Sequence, residues 1–164
     1  MSVITYNDLP NIRKLHNKSK IVFCTGVFDL THVGHILFFE ECKKLGDILV
    51  VAVGSDFMIN RNKGSARPIL NEKIRIKTVD SLKTVDYCLL EKSIPGRPLD
   101  HLKLAFKKLK PDLYVINKDA SNIPYREKLI KEYPTKMVIL DRSCPAEYEG
   151  ISTTKIIEKI KSLL

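Results

Sequence analysis

The sequence contains no apolar run long enough to cross a bilayer, and its first residues lack the basic start and apolar stretch of a signal peptide. Its four cysteines, Cys24, Cys42, Cys88 and Cys144, are far apart and form no C-x-x-C pair. Neither a zinc site nor a disulfide framework is therefore indicated. Together these absences predict a cytosolic protein without a membrane anchor.

The chain also lacks a concentrated basic region, although its formal net charge is +9. Its 28 lysines and arginines are spread along predicted helices, where most of them form solvated faces. We find neither a basic recognition helix nor strands that alternate aromatic and basic residues, so we expect no nucleic-acid partner. Small phosphorylated ligands remain compatible with this charge.

The 164 residues have the size of one domain, 1–164, in which residues 1–19 form a polar lead-in. Short apolar blocks alternate with helical patterns, which predicts an α/β fold: a Rossmann-like open parallel sheet of about five strands, flanked by helices on both faces. The predicted strands are 21–24, 48–53, 86–90, 113–116 and 136–140. Asn71 is expected to cap a helix, and a turn is expected at 95–98.

Residues 20–35 carry the strongest functional signal. A buried strand ends at Thr25-Gly26, and a helix with one apolar face begins near His32. Such a strand-to-helix junction lies at the carboxyl edge of the sheet, where helix N–H groups bind phosphate. His32 and His35 lie three residues apart, so their rings project to the same side, and Gly34 allows a ligand to approach the backbone.

This stretch, G-V-F-D-L-T-H-V-G-H, resembles the signature of the HxGH nucleotidyltransferases, and specifically the cytidylyltransferase-like group. The resemblance implies that His32 and His35 stabilise the transition state and the leaving pyrophosphate. It also implies that Gly26, Val27 and Phe28 line the nucleotide cleft. The alternative is that two histidines merely cap a core helix.

Residues 54–69 are predicted as one long loop that carries Arg61, Lys63 and Arg67 at the same edge of the sheet. A loop of this kind can close over a triphosphate, and a solvated basic loop is the alternative. Relatives carry a Lys-Gly here that contacts phosphates, which implies that Lys63 is catalytic and that Arg67 helps to bind the nucleotide. The longer string K-G-x-x-R-P, at 63–68, is similar to the heptose-phosphate adenylyltransferase branch.

The segment after the fourth predicted strand departs from the family pattern. Relatives usually have glycine here, whereas this chain has Asn117 and Lys118 before Asp119. Asp119 is expected to contribute to nucleotide binding by holding Mg²⁺ or a substrate hydroxyl group. The alternative is that it caps a helix. We expect Lys118 and Asp29 to contact the acceptor.

The string G-I-S-T-T-K-I, at 150–156, matches the second signature of the family. Ser152 and Thr153 stand at a helix start, where they either cap the helix or bind phosphate, and the resemblance favours phosphate. Relatives commonly place Arg-Thr-Glu or Arg-Thr-Gln before this string. This chain has Glu147-Tyr148-Glu149 instead, so the expected arginine is missing.

These residues together predict a nucleotidyltransferase. Its favoured reaction joins the nucleoside monophosphate of ATP to a sugar phosphate such as heptose 1-phosphate, with Mg²⁺ bound through the phosphates. CTP with glycerol 3-phosphate or a similar phospho-alcohol is the alternative, and a nucleotide-binding protein without turnover is a second one. The resemblance also implies a homodimer, which the helix after Asn71 and the Val85-Asp86 pair help to form. His101 is expected at the surface, without a catalytic role.

Overall fold

In the computed structural model, which describes residues 3–92, 99–141, 145–148 and 150–163, six parallel strands form one sheet. The strands are β1 Val3–Ile4, β2 Ile21–Gly26, β3 Ile48–Val53, β4 Tyr87–Leu90, β5 Leu113–Asn117 and β6 Lys136–Leu140. Their order across the sheet is β1-β4-β3-β2-β5-β6.

Helices cover both faces of this sheet, as predicted. The helices in the described part of the chain are α1 Leu9–Leu15, α2 Val33–Lys44, α3 Asp56–Lys63, α4 Glu72–Asp80, α5 Asp100–Leu109, α6 Ile123–Ile130 and α7 Thr153–Lys161. One apolar core lies under α1, α5 and α6, and the other lies under α2 and α4.

The five predicted strands are confirmed, and the sequence missed a sixth, β1, inside the lead-in. This strand has two residues, and Val3 and Ile4 pair with Cys88 and Leu89 of β4. Two residues are too few to show the alternation that identifies a strand. The segment is extended because it pairs with the open edge of β4.

The prediction of an unbroken loop over 54–69 is wrong, because α3 occupies Asp56–Lys63. The Ser55 side chain caps this helix by accepting a hydrogen bond from the Met58 amide at 3.4 Å, and Gly64, with φ of +86°, ends it. Only Ile59 is buried along α3, so its apolar pattern is weak. The sequence signals that indicate this helix are Ser55-Asp56 at its start and Gly64 at its end.

The order of the strands identifies the ligand-binding edge. The chain runs from β2 outward through β3 to β4, and then returns to place β5 on the other side of β2. Loops that leave β2 and β5 therefore diverge at the carboxyl end of the sheet. In open α/β sheets, ligands bind in the crevice at such a switch point.

Some sequence predictions fall outside the described residues. These are the turn at 95–98, the position of Cys144 and that of Glu149. Within the described part, no helix is long and apolar enough to cross a membrane.

Candidate active site

A cavity of about 670 Å³ opens at the carboxyl edge of the sheet, over the crevice between β2 and β5. It collects all but one of the site residues predicted from the sequence. The predicted residues that line it are Gly26, Val27, Phe28, Asp29, His32, His35, Lys63, Arg67, Asp119, Ser152 and Thr153.

The two histidines stand at the start of α2 and hold each other in place. The Gly34 amide donates to Nδ1 of His32 at 3.1 Å, and the His32 amide donates to Nδ1 of His35 at 3.4 Å. Their rings stack with centroids 4.0 Å apart. In a neutral imidazole whose Nδ1 accepts a hydrogen bond, Nε2 carries the proton. This geometry therefore makes Nε2 of each ring a donor.

In the structure the two histidines cap α2, as the alternative interpretation expects, and they also line the cavity. His32 is the N-cap of α2, and His35 completes a capping box. The two roles use different ring nitrogens, since capping takes Nδ1. A Cβ on Gly34 would lie only 3.0 Å from the His32 ring, which explains the glycine between the histidines.

Phe28 packs against the histidine pair through its contact with His35. Its buried ring packs edge-on against His35, with centroids 5.5 Å apart, and against Phe39 at 4.8 Å. A Cβ on Gly26 would lie 2.6 Å from the Phe28 ring, so this residue must be glycine for the ring to lie there. Gly26 and Phe28 therefore fix the position of His35.

The start of α7 lies against the start of α2, so two helix N-termini converge on the cavity. The Thr153 hydroxyl donates to the Asp29 carbonyl at 2.9 Å, and the Ile151 carbonyl lies close to Gly34. Ser152 caps α7 by accepting from the Lys155 amide at 3.2 Å. Converging helix N-termini favour bound anions. The predicted phosphate contact of Ser152 and Thr153 stays a prediction beside this observed cap.

Asp29 is buried and contacts the end of the basic segment, which we define as residues 61–67 and which carries Arg61, Lys63 and Arg67. Its carboxylate accepts from the amides of Ile69 at 2.8 Å and Leu70 at 2.9 Å, and Arg67 lies 3.5 Å from it. Arg67 is thereby held at the cavity, together with Lys63 from the last turn of α3. The acceptor contact of Asp29 stays a prediction beside these observed partners of its carboxylate.

Lys118 is the predicted site residue that lies apart from the lining of the cavity. Its Nζ pairs with Asp141 at 2.8 Å, and this partner raises the pKa of Lys118. Asp119, the next residue, does line the cavity. The acceptor role of Lys118 and the nucleotide role of Asp119 remain predictions.

Sequence reasoning missed the importance of Arg75, which is 1% exposed on α4. Its guanidinium donates to the carbonyls of Val27 at 2.6 Å and Gly54 at 2.7 Å, and to the Asp56 carboxylate at 2.7 Å. Arg75 therefore ties together the loops that follow β2 and β3. A lone arginine in an amphipathic pattern gives no signal of this burial.

Arg126 is a second buried cation that the sequence did not reveal, and it lines the cavity. Its Nη1 donates to the Tyr114 hydroxyl, and its Nε donates to the Ser121 carbonyl at 2.9 Å. Burial raises the pKa of Tyr114, and the nearby guanidinium opposes that shift. Arg126 gives this part of the cavity a positive charge.

The expectation that His101 lies at the surface is wrong. His101 is 4% exposed in the first turn of α5, and it lines the cavity beside Glu91. Its Nε2 lies 3.1 Å from Oε1 of Glu91, within ion-pair distance but in an orientation that makes no hydrogen bond. The sequence could not show this burial, because it results from a tertiary contact in which the end of β4 meets the start of α5 at the cavity.

The family model of the cytidylyltransferase-like proteins matches residues 23–159. This range includes both histidines, the basic segment and the start of α7. The chain belongs to the cytidylyltransferase-like family. It is therefore a nucleotidyltransferase, as the sequence predicts.

Relatives with curated descriptions show the same relationship. The chain is 39% identical over 147 residues to the bifunctional protein HldE of Helicobacter pylori strain G27, and 36% identical over 147 residues to that of Campylobacter jejuni strain 81116. Each match covers 88–89% of this chain but only 28% of the relative. This cytidylyltransferase-like chain thus spans less than a third of the curated relatives it matches.

Solved structures are also similar to this chain. A lipopolysaccharide core biosynthesis protein from Thermoplasma volcanium is 34% identical, with a TM-score of 0.64, over 77% of this chain and 99% of that protein. A pantoate-beta-alanine ligase from Francisella tularensis shares the fold, with a TM-score of 0.66 at 19% identity over 98% of this chain and 77% of the ligase.

The described residues contain no group of three or more histidine, cysteine, aspartate or glutamate side chains that could hold a metal ion. Mg²⁺ in nucleotide sites is usually held by substrate phosphates and water, with one or two carboxylates. Asp119 is a carboxylate of the cytidylyltransferase-like cavity that fits this donor set.

Proposed function

We propose that the chain transfers the adenylyl group of ATP to a sugar phosphate such as heptose 1-phosphate. A phosphate oxygen of the acceptor attacks the α-phosphorus of ATP and forms a new P–O bond. The bond between the α-phosphorus and the oxygen that bridges to the β-phosphorus breaks, and pyrophosphate leaves with that electron pair. The observation that carries the proposal is the stacked His32–His35 pair between two converging helix N-termini.

The chain's own groups supply the catalysis. Since the attacking oxygen already belongs to an ionised phosphate, no side-chain nucleophile or base is needed. Nε2–H of His32 and of His35 would donate to the phosphate oxygens on which negative charge accumulates. Donors that are already oriented stabilise such charge strongly, because they need not reorganise during the reaction.

The basic segment would hold the triphosphate. Lys63 and Arg67 line the same cavity as the histidines, and the contact of Asp29 with the segment fixes Arg67 there. A guanidinium suits phosphate because it donates two parallel hydrogen bonds. Lys63 is exposed in the last turn of α3, next to Gly64, and its side chain lines the cavity in which the triphosphate would lie.

Mg²⁺ is part of this proposal, bound mainly through the phosphates, with Asp119 as its protein carboxylate. The ion would supply positive charge to the pyrophosphate leaving group. The other steps, which are binding, alignment and donation to the phosphates, belong to the protein groups named above.

The proposed preference for ATP and a sugar phosphate rests on two features of the sequence. The string K-G-x-x-R-P at 63–68 is similar to the heptose-phosphate adenylyltransferase branch, and the arginine that commonly precedes G-I-S-T-T is absent. The homology to HldE proteins is in keeping with this preference. The homodimer and the cytosolic location remain predictions.

The proposal is tested by pyrophosphate release with Mg²⁺, in which ATP, CTP, GTP and UTP are each paired with heptose 1-phosphate, glycerol 3-phosphate, phosphocholine and phosphoethanolamine. We expect release that requires both ATP and the sugar phosphate. Release with CTP and glycerol 3-phosphate instead would refute the substrate assignment. Nucleotide binding without release from any pair would favour a protein without turnover.

A further inference from the structure

Arg126 is a buried cation of the cavity that the proposed mechanism does not use. It is 8% exposed on α6 and lines the cavity near the end of β2, where its Nη1 lies 3.5 Å from the Thr25 hydroxyl. The basic segment reaches the cavity after β3, whereas Arg126 follows β5, and these strands lie on opposite sides of β2. Arg126 is therefore a positive charge separate from Lys63 and Arg67.

The described part of the chain supplies no countercharge to Arg126. None of the ion pairs among the described residues includes it. Tyr114, which accepts a hydrogen bond from Arg126, is neutral at physiological pH, because burial raises the pKa of its hydroxyl. The fold therefore buries the charge of Arg126 without compensating it.

Arg75 shows how the same protein holds a buried arginine that is structural. Its guanidinium lies 2.7 Å from the Asp56 carboxylate and donates to backbone carbonyls as well. A buried charge without an opposite charge is costly, because it loses water and gains no ion pair in return. This cost is explained for Arg126 if a ligand in the cavity brings the negative charge.

The contacts of Arg126 orient its guanidinium and leave donors for such a ligand. Nε donates to the Ser121 carbonyl at 2.9 Å, and Nη1 donates to the Tyr114 hydroxyl, which lies 3.1 Å from the Thr25 hydroxyl. Nη2 carries further N–H donors. It has no hydrogen-bond partner among the described residues, and it is not sealed from solvent. These donors are therefore accessible in the cavity.

The start of α6 adds backbone donors beside this guanidinium. Its N-cap residue, Asn122, has a φ of +58° and makes no side-chain cap hydrogen bond. Ser121 and Asn122 both line the cavity, and the bond from Nε to the Ser121 carbonyl holds the guanidinium at this helix start. Uncapped amides at a helix N-terminus attract anions. The helix start and the guanidinium thus favour the same kind of ligand at the same place.

We propose that Arg126 and the start of α6 bind a phosphate group of one of the two substrates. Nη2 of Arg126 donates to the phosphate oxygens, and the backbone amides of the first turn of α6 add to this contact. The phosphate supplies the negative charge that the fold does not. Both ATP and the phosphorylated acceptor carry such a group, so this inference rests on the proposed nucleotidyl transfer.

The test measures binding, without turnover, by isothermal titration calorimetry of the wild type and Arg126→Gln. One titration uses ATP with Mg²⁺. The other adds heptose 1-phosphate to protein saturated with α,β-methylene-ATP, which cannot release pyrophosphate. We expect Arg126→Gln to raise the Kd of one of these ligands about 10-fold or more, a loss typical of a hydrogen bond to a charged group. The Kd that rises identifies the substrate whose phosphate Arg126 binds.

Lys128→Gln is the matched control, because it removes the same charge from an exposed position of the same helix. It should leave both Kd values unchanged, and thermal unfolding checks that each variant is folded. If Arg126→Gln does not fold, Arg126→Lys takes its place. That variant keeps the charge but loses the planar fork of the guanidinium, so it should raise the same Kd by a smaller factor.

Salt dependence separates a bound phosphate from a purely structural role of Arg126. Added KCl weakens a contact between charges by screening it. The affected Kd should therefore rise less steeply with KCl in Arg126→Gln than in the wild type, because the variant has lost one such contact. An equal salt dependence in the two proteins would contradict a direct contact with phosphate.

The remaining outcomes separate this inference from the proposed function. Two unchanged Kd values in a folded Arg126→Gln protein would refute the phosphate contact and leave the proposed function intact. A wild type that binds ATP but not heptose 1-phosphate would refute the proposed acceptor, and the ATP titration alone would then decide the role of Arg126. A wild type that binds neither ligand would refute both.

Discussion

At the residue scale, the histidine rings at the start of α2 serve the fold and the proposed chemistry with different nitrogen atoms. Nδ1 of each ring accepts from a backbone amide, so His32 and His35 cap the helix. A cap of this kind stabilises a helix by about 0.5–2 kcal/mol. The same contacts fix the tautomer, and with it the direction in which each ring can donate.

We therefore predict that both histidines are Nε2–H tautomers in the neutral, ligand-free protein. The measurement is a long-range ¹H–¹⁵N NMR correlation spectrum at pH 8, in which the two ring nitrogens of each tautomer have distinct shifts. Spectra of His32→Asn and His35→Asn assign the signals. An Nδ1–H tautomer for either ring would contradict the capping geometry and the donor role derived from it.

A second residue-scale prediction concerns the buried thiols. Burial, with Asp80 nearby, raises the pKa of Cys88 to about 12, and burial raises the pKa of Cys24 as well. At pH 8 a thiol with a pKa of about 12 is only roughly 10⁻⁴ thiolate, the form that reacts. Iodoacetamide should leave both residues unmodified in the native protein and modify them in urea, as read by peptide mass spectrometry. Rapid native modification of Cys88 would show that it is not buried.

At the element scale, the site depends on how α3 and α4 hold the loops after β2 and β3. At the two helix starts, Glu72 accepts a hydrogen bond from the Asp56 amide at 2.8 Å, and Asp56 accepts one from the Glu72 amide at 3.1 Å. Arg75 then joins this pair of helices to the carbonyls of Val27 and Gly54. The cavity wall is therefore built from one connected set of polar contacts.

Replacement of Arg75 by leucine should destabilise the protein strongly. The change removes the donor to three carbonyls and to Oδ1 of Asp56, and loss of one partner from a buried charged network typically costs about 3–5 kcal/mol. Urea unfolding measures this loss. Lys73→Leu, on the exposed side of the same helix, is the control. A loss below about 1 kcal/mol for Arg75→Leu would show that the network is dispensable.

At the scale of the whole molecule, the sequence predicts the sheet and the histidine site because their signals are local. Apolar blocks mark the five longer strands, and Asn71 caps α4 as expected, by accepting from the Ile74 amide at 3.1 Å. The missed features depend on contacts between distant segments. β1 exists because β4 has an open edge, and His101 is buried because α5 starts beside Glu91.

The homodimer is a prediction at the same scale. The family resemblance assigns the α4 region to the dimer interface, and Ile74 on α4 and Phe57 on α3 are about half exposed, at 45% and 50%. We expect the wild type to sediment with the mass of two chains at micromolar concentration. Ile74→Asp should shift it towards one chain, because a charge opposes burial of that surface, whereas Lys103→Asp on α5 should not. A monomeric wild type would contradict the prediction.

The central claim is that the histidine pair of this cytidylyltransferase-like chain stabilises a nucleotidyl-transfer transition state. The most direct test is the turnover number for Mg²⁺-dependent pyrophosphate release from ATP and heptose 1-phosphate, compared between the wild type and His35→Ala at equal folded concentration. We predict acceptor-dependent release that falls by about 10²-fold or more in the variant, the typical cost of losing one transition-state donor. Near-normal turnover in a folded His35→Ala protein would contradict the account.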